Sequence, residues 1–196
     1  MKKSMAGQGA AGALLLAGLM MSAGAMAASG DPVTGGSGTV TINVPIVTST
    51  CSVAVPTEVN FDPTNRKSLD GEWQFIGSKN FDTVFSNCKD ETLQMSVQAS
   101  SIVFENGSLA YFSSGDPARS LYYDIQLPKD AEIIGGGTIY ISSRVFALDN
   151  TRPVLIKPGS DNYTMTSKVD FSRGAGGASK VGSAVSTSFT YNITYQ

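Results

Sequence analysis

Few residues of this 196-residue chain have side chains suited to chemistry. It contains two cysteines, Cys51 and Cys88, and no histidine. Without histidine, Ser–His–Asp and Cys–His catalysis are excluded, and the commonest metal ligand is missing. The acidic residues are scattered, mostly beside turn residues, and the pairs Asp149-Asn150 and Asp161-Asn162 are typical of turns. The sequence therefore predicts no catalytic site, no metal site and no cofactor.

Residues 1–27 have the pattern of a removed signal peptide. Lys2 and Lys3 precede an apolar stretch over residues 10–21, and an A-x-A motif follows at residues 25–27. The apolar stretch is too short and too interrupted by glycine to be a good membrane span. We therefore expect an exported mature chain of 169 residues (196 less 27), which is enough for one domain.

Export changes the interpretation of both the net charge and the cysteines, because the signal peptide is removed and the mature chain reaches an oxidising compartment. Without Lys2 and Lys3, sixteen acidic residues exceed twelve basic ones, so nucleic acid is a poor partner. In an oxidising compartment, Cys51 and Cys88 are expected to form a disulfide, although two free buried thiols remain an alternative. Closing this loop stabilises the fold by roughly 3–4 kcal/mol.

Alternation of apolar and polar residues with period two recurs along the chain and predicts an all-β sandwich. It is clearest in two segments, one before the first cysteine and one at the end of the chain. The first contains Val40, Ile42, Val44 and Ile46, and the second contains Phe189, Tyr191, Ile193 and Tyr195. A jelly roll or a lectin sandwich would have a similar pattern.

Turn signals divide the chain between these two segments into further short strands. We expect two separate pieces around residues 73–76 and 81–88, and a hairpin over residues 102–112 with Asn106-Gly107 at its tip. Further strands are predicted at residues 93–97, 121–127, 139–146 and 163–171.

Four features together resemble the subunits of chaperone–usher fimbriae, the class of the type 1 and P pilus rods. They are the signal peptide, the alternating strand shortly before Cys51, the strand Asp82–Cys88 that contains the second cysteine, and the penultimate Tyr195 before Gln196. The resemblance covers the whole mature chain. It implies an immunoglobulin-like sandwich that lacks its last strand.

In this family a neighbouring subunit supplies the missing strand. The resemblance therefore implies a signal peptide over 1–27, an N-terminal extension over 28–47 and a pilin domain over 48–196. Val40, Ile42, Val44 and Ile46 would form the donor strand. Beside the open groove would lie Phe189, Tyr191, Ile193, Tyr195 and Gln196. Strand addition to an exposed edge combines backbone hydrogen bonds with side-chain pockets.

The partners implied are a periplasmic chaperone, an outer-membrane usher and other pilin subunits; a host receptor contacted through the fibre stays open. Two positions depart from the family pattern. Val44 stands where type 1 pilins usually have glycine, so a wider receiving pocket is expected. Pro45 removes one backbone donor from the strand.

The leading hypothesis is a structural subunit of a surface fimbria, exported through the periplasm, and not an enzyme. A minor adaptor or terminator subunit and a tip adhesin of the same kind of fimbria are the alternatives. A secreted enzyme on a β-sandwich is the third class considered. It is disfavoured because the sequence has no histidine and no clustered carboxylates, and because both cysteines are expected to be bonded to each other.

Overall fold

The computed structural model describes residues 50–175 and 178–196, all within the compact unit Val47–Gln196. These residues form twelve β-strands, two short 3-10 turns and no α-helix, so the all-β prediction is confirmed. None of the described helical segments is long and apolar enough to cross a membrane. The strands are β1 Ser52–Ala54, β2 Gln74–Ser86, β3 Leu93–Ala99, β4 Val103–Phe104, β5 Leu109–Tyr111, β6 Leu121–Gln126, β7 Ile133–Gly135, β8 Thr138–Tyr140, β9 Ser143–Val145, β10 Val154–Ile156, β11 Asn162–Arg173 and β12 Phe189–Tyr195, and the 3-10 turns are Arg66–Leu69 and Ala178–Lys180.

Two antiparallel sheets are formed. The larger has the order β1-β2-β11-β6-β5-β4, with β9 also paired to β6 and β8 to β9. The smaller has the order β12-β3-β10-β7. The longest contact is between β2 and β11, which pair from Ser86 opposite Asn162 to Gln74 opposite Arg173, with one bulge.

The core lies between the sheets because alternate residues of each strand face inward. Phe85 of β2, Met95 of β3, Ile125 of β6 and Met165 of β11 are completely buried and belong to one cluster. A smaller cluster lies at the other end of the larger sheet and contains Leu69, Leu121, Phe171 and Val181.

The strand β2 differs from the sequence prediction. The two pieces expected around residues 73–76 and 81–88 are one continuous strand of 13 residues. The middle of β2 contains polar outward-facing residues such as Ser78 and Asn80, so the sequence alone does not show that the two pieces are continuous. Trp73 lies just outside β2 with a φ of +53°, a conformation that is rare for a bulky side chain.

The segment predicted as one strand over 139–146 is also different. It forms the hairpin of β8 and β9, which turns at Ile141 and Ser142. Both turn residues have positive φ, +42° and +66°. Neither is a glycine, asparagine or aspartate, so the sequence carried no turn signal here.

Candidate functional site

The last strand, β12, is an edge strand. It pairs with β3 over its whole length, from Phe189 opposite Ala99 to Tyr195 opposite Leu93. Among residues 50–175 and 178–196, no strand pairs with its other edge. A long edge strand is a template for another chain, so proteins usually cover it.

The two faces of β12 follow the alternation predicted from sequence. Phe189, Tyr191 and Ile193 pack against the main core but are only half-buried. Thr190 and Asn192 on the other face are exposed. The inward residues of a completed sheet would be fully buried, as Met95 and Val97 of the adjacent β3 are. Within the part of the chain that the structure describes, the core is therefore open along β12.

A groove follows this open edge, and we call it the β12 groove. Its wide part has a volume of about 1040 Å³ and lies between the segment Val55–Thr64 and the residues Val181–Tyr191. Its narrow part, of about 250 Å³, lies beside Cys51, Val53 and Leu93 at the end of β12. Tyr195 closes this narrow end, where its hydroxyl accepts a hydrogen bond from the backbone N–H of Cys51 at 3.2 Å.

The floor of the wide part is apolar and largely aromatic. It is formed by Phe112, Tyr123 and Phe171, together with aliphatic side chains such as Leu121 and Val169. The rings of Phe112 and Phe171 meet edge to face, with their centroids 5.3 Å apart. Such a floor favours an extended apolar segment over a small polar ligand.

The ionisation of the tyrosines reports the same apolar environment. Burial strongly raises the pKa of Tyr191, and the nearby Tyr123 raises it further. The pKa of Tyr123 is also raised by burial, and the hydroxyls of Thr187 and Ser101 offset this in part. Both side chains therefore remain neutral over the physiological range, so neither Tyr191 of β12 nor Tyr123 of β6 brings a charge into the groove.

The disulfide holds the start of the groove in place. Cys51 and Cys88 are bonded, with their Cα atoms 4.6 Å apart, so this prediction is confirmed. The bond ties the residue before β1 to the end of β2. Residue 51 is therefore fixed beside Tyr195, at the narrow end of the groove.

The predicted donor residues Val40, Ile42, Val44 and Ile46 lie outside the described residues, as does the predicted signal peptide. Their roles stay predictions. The groove residues Phe189, Tyr191, Ile193 and Tyr195 lie together on β12, as the period-two pattern requires. Gln196 follows them, and its backbone N–H donates to the carbonyl of Thr92 at 2.9 Å.

Sequence reasoning missed the other wall and the floor of the groove. The wall Val55–Thr64 forms no strand, and its Pro, Asn and Asp residues indicated only turns. A weak signal was present in Val59 and Phe61, which alternate with polar neighbours and pack against the core. The floor depends on the packing of distant strands, and no local pattern identifies it.

No group of three or more Cys, Asp or Glu side chains in the described part of the chain is arranged to hold a metal ion. The candidate functional site of the described residues is the β12 groove.

Comparison with known proteins identifies the fold. No protein-family model matches the chain, and no curated protein sequence matches it. A solved chaperone–usher pilus structure, which addresses how the rod uncoils, matches 85% of this chain and 99% of its own, with a TM-score of 0.55 and 15% identity. The P pilus rod subunit PapA matches 74% of this chain and 99% of its own, with the same TM-score and identity. The chain therefore has the immunoglobulin-like sandwich fold of chaperone–usher pilus rod subunits.

Proposed function

We propose that this chain is a non-enzymatic structural subunit of a bacterial surface fimbria, and that it polymerises by donor-strand exchange. The observation that carries the proposal is the open, apolar β12 groove beside an edge strand. The shared fold with pilus rod subunits supports the same function. The groove is the acceptor, and residues 39–47 of another copy are the donor.

The chemistry of the two parts is complementary. In an extended strand, Val40, Ile42, Val44 and Ile46 point to one face at intervals of about 6.7 Å, as the inward residues of β12 do. Burying each of these side chains stabilises the complex by about 1.5–3 kcal/mol before ordering costs. The backbone of the donor pairs with the open edge of β12.

Val44 is a departure from the family pattern that the proposal has to accommodate. A valine in place of glycine needs a larger pocket, so the groove is expected to be wider where this side chain enters. Pro45 cannot donate a hydrogen bond, so one bond of the new ladder is absent or replaced by a bulge.

The direction of growth follows from where the extension leaves the domain. Cys51 lies at the Tyr195 end of the groove, so each subunit's own extension departs from that end. The domain of the subunit that receives this extension must therefore also lie near the Tyr195 end. If the subunit that donates its strand to the groove had its domain at the same end, the two neighbouring domains would collide. We therefore place the incoming domain at the wide end, with its donor segment antiparallel to β12, in a head-to-tail fibre.

A periplasmic chaperone would cover the same groove before assembly, and an outer-membrane usher would receive the subunit. The location in this proposal is the cell surface, reached through the periplasm.

Removing residues 189–196 deletes β12 and should abolish the chaperone complex. A truncated chain that still co-purifies with the chaperone would contradict this part of the proposal.

The donor role is tested with a pair of neighbouring substitutions. Ile42→Asp places a carboxylate in an apolar groove, at a cost of several kcal/mol. The chaperone-bound monomer should melt normally, while fibre growth should stop. Thr41→Asp points to the other face and should allow fibres. If fibres of the Ile42→Asp variant form normally, the proposal fails; if this variant unfolds the monomer, residues 39–47 are a strand of their own domain.

Electron microscopy of cells with and without this chain distinguishes a rod subunit from a minor subunit. A rod subunit is expected to be required for all fibres. Fibres that are merely shortened would indicate the minor-subunit alternative.

A further inference from the structure

We propose that the end of the domain carrying Trp73 is a docking surface for the Cys51 end of the next subunit in the fibre. This inference rests on the proposed function, because it uses the head-to-tail direction of growth. It adds a contact between folded domains to the contact made by the donor strand.

The two ends are separated by the length of β2. Ser86 at one end of this strand pairs with Ser52, next to the first cysteine, while Gln74 at the other end directly follows Trp73. Thirteen residues at about 3.3 Å each give roughly 40 Å between the ends. The Trp73 end is also the wide end of the groove, since Leu69 and Val181 line the groove there.

The length of the linker brings the two domains into contact. Five residue steps connect Ile46, the last donor side chain, to Cys51, and they span at most about 18 Å. When the donor segment of one subunit lies in the groove of another, the short linker therefore holds the donor's own folded domain close to the wide end of that groove. That neighbouring domain presents its Cys51 end to the Trp73 end of the acceptor.

Trp73 has the features of a contact residue. Trp73 is 66% exposed and Phe75, two residues further along the chain, is 57% exposed, so two large aromatic residues at this end of β2 lie on the surface. Tryptophan is the residue type most enriched among residues that dominate interface energies. Trp73 also has a strained backbone, with a φ of +53°.

The surrounding structure holds this strained residue in place. The Trp73 ring lies against Gly174 and against Tyr122, with a centroid distance of 6.5 Å to the latter. The guanidinium of Arg173, which is 3% exposed, donates a hydrogen bond of 2.6 Å to the carbonyl of Gly71. A buried arginine therefore anchors the loop that presents the exposed tryptophan.

The charges at the two ends are complementary. Surface basic residues outnumber acidic ones at the Trp73 end: Arg66, Lys67, Arg119 and Lys180 against Asp70 and Glu72. The reverse holds in the turns at the Cys51 end: Asp90, Glu91, Asp130, Glu132 and Asp161 against Lys89, Lys129 and Lys157. This complementarity favours a second copy of the chain as the occupant.

The test replaces Trp73 with asparagine, which tolerates positive φ. The chaperone-bound Trp73→Asn monomer should melt at or above the wild-type temperature, because the backbone strain is reduced. Its fibres should form but should dissociate in denaturant about tenfold faster or more. Trp73→Phe keeps an aromatic ring and should restore most of the fibre stability. Higher salt should speed dissociation of wild-type fibres.

Three results would overturn the docking surface. Trp73→Asn fibres could be as stable as wild-type fibres. The monomer could lose as much stability as the fibre, which would make Trp73 a structural residue only. The fibres could keep their stability but lose adhesion to host cells, which would assign the surface to a receptor. Normal fibres from the Ile42→Asp variant would instead remove the donor-strand function itself.

Discussion

Asp124 of β6 and Asp170 of β11 lie directly opposite each other across two paired strands of the larger sheet. Their neighbours Ile125 and Val169 face the core, so both carboxyl groups are on the outer face of this sheet. Both are nonetheless buried, with 3% and 8% of their surfaces exposed. Asp170 accepts a hydrogen bond from Gln126 at 2.7 Å and forms an ion pair with Lys168 at 3.2 Å. Two carboxylates in this position cannot both ionise without cost.

This pair predicts that the domain loses stability as pH rises toward neutral. Burial, and then the charge of Asp170, raises the pKa of Asp124 to about 7 from an ordinary value of 3.8. The folded state therefore keeps a proton that the unfolded chain releases. The stabilisation is complete below about pH 4, and it is lost as pH rises to about 7, by up to about 4 kcal/mol.

The measurement is thermal unfolding of purified fibres between pH 4 and pH 8. Asp124→Asn keeps the shape but cannot ionise, so its stability should be less dependent on pH and higher than that of the wild type at pH 8. Asp82→Asn makes the same chemical change at an exposed position of β2 and is the matched control. Equal slopes for Asp124→Asn and the wild type would contradict this interpretation.

The disulfide supports a second prediction. Changing Cys51 to serine removes the link between β1 and β2 and should destabilise the domain by roughly 3–4 kcal/mol, less any strain relieved. A domain with an open core has little stability in reserve, so the periplasmic yield of folded subunit should fall sharply. Mass spectrometry of the native exported protein should find no thiol that reacts with an alkylating agent; two reactive thiols would contradict the bonded pair.

Glycine positions give a third prediction with an internal control. Gly136 has a φ of +76°, and a Cβ placed there would meet the carbonyl oxygen of Pro153 at 1.8 Å. Gly136→Ala should therefore lower the melting temperature by several degrees or prevent folding. Gly77 lies within β2, and a Cβ added to it would meet no atom within 4 Å, so Gly77→Ala should be neutral or slightly stabilising. Similar losses in both variants would show that the close contact at Gly136 is not the cause.

The sequence predicts those parts of the molecule that depend on local pattern. Alternation identifies β12 and β3, and Asn106-Gly107 identifies the hairpin between β4 and β5. Oxidation in an exported chain predicts the bond between Cys51 and Cys88. In each case, neighbouring residues carry the signal.

The remaining features depend on tertiary context. The turn at Ile141 and Ser142 has no favourable turn residue, so packing of the hairpin on β6 must impose it. The short strands β7 and β10 have three residues each, too few for a periodic signal. The buried pair Asp124 and Asp170 comes together only through the register of β6 and β11.

The last prediction concerns the direction of the fibre, and it uses one variant on each side of the proposed interface. Ile193 of β12 points inward and lines the narrow part of the groove. Ile193→Asp should therefore prevent the groove of this subunit from binding a donor strand, while its own residues 39–47 can still act as a donor. Ile42→Asp should do the reverse. Neither variant should form fibres when expressed alone.

Expressed together, the two variants should form a complex of two subunits and nothing longer. The Ile193→Asp chain supplies its intact extension to the intact groove of the Ile42→Asp chain, and neither remaining end can continue. Size-exclusion chromatography with mass spectrometry measures the product. Asn192→Asp, on the exposed face of β12 and not among the residues that line the groove, is the control and should polymerise. Monomers alone from the mixture would indicate that each chain fills its own groove, because only exchange between copies allows the two defects to complement each other.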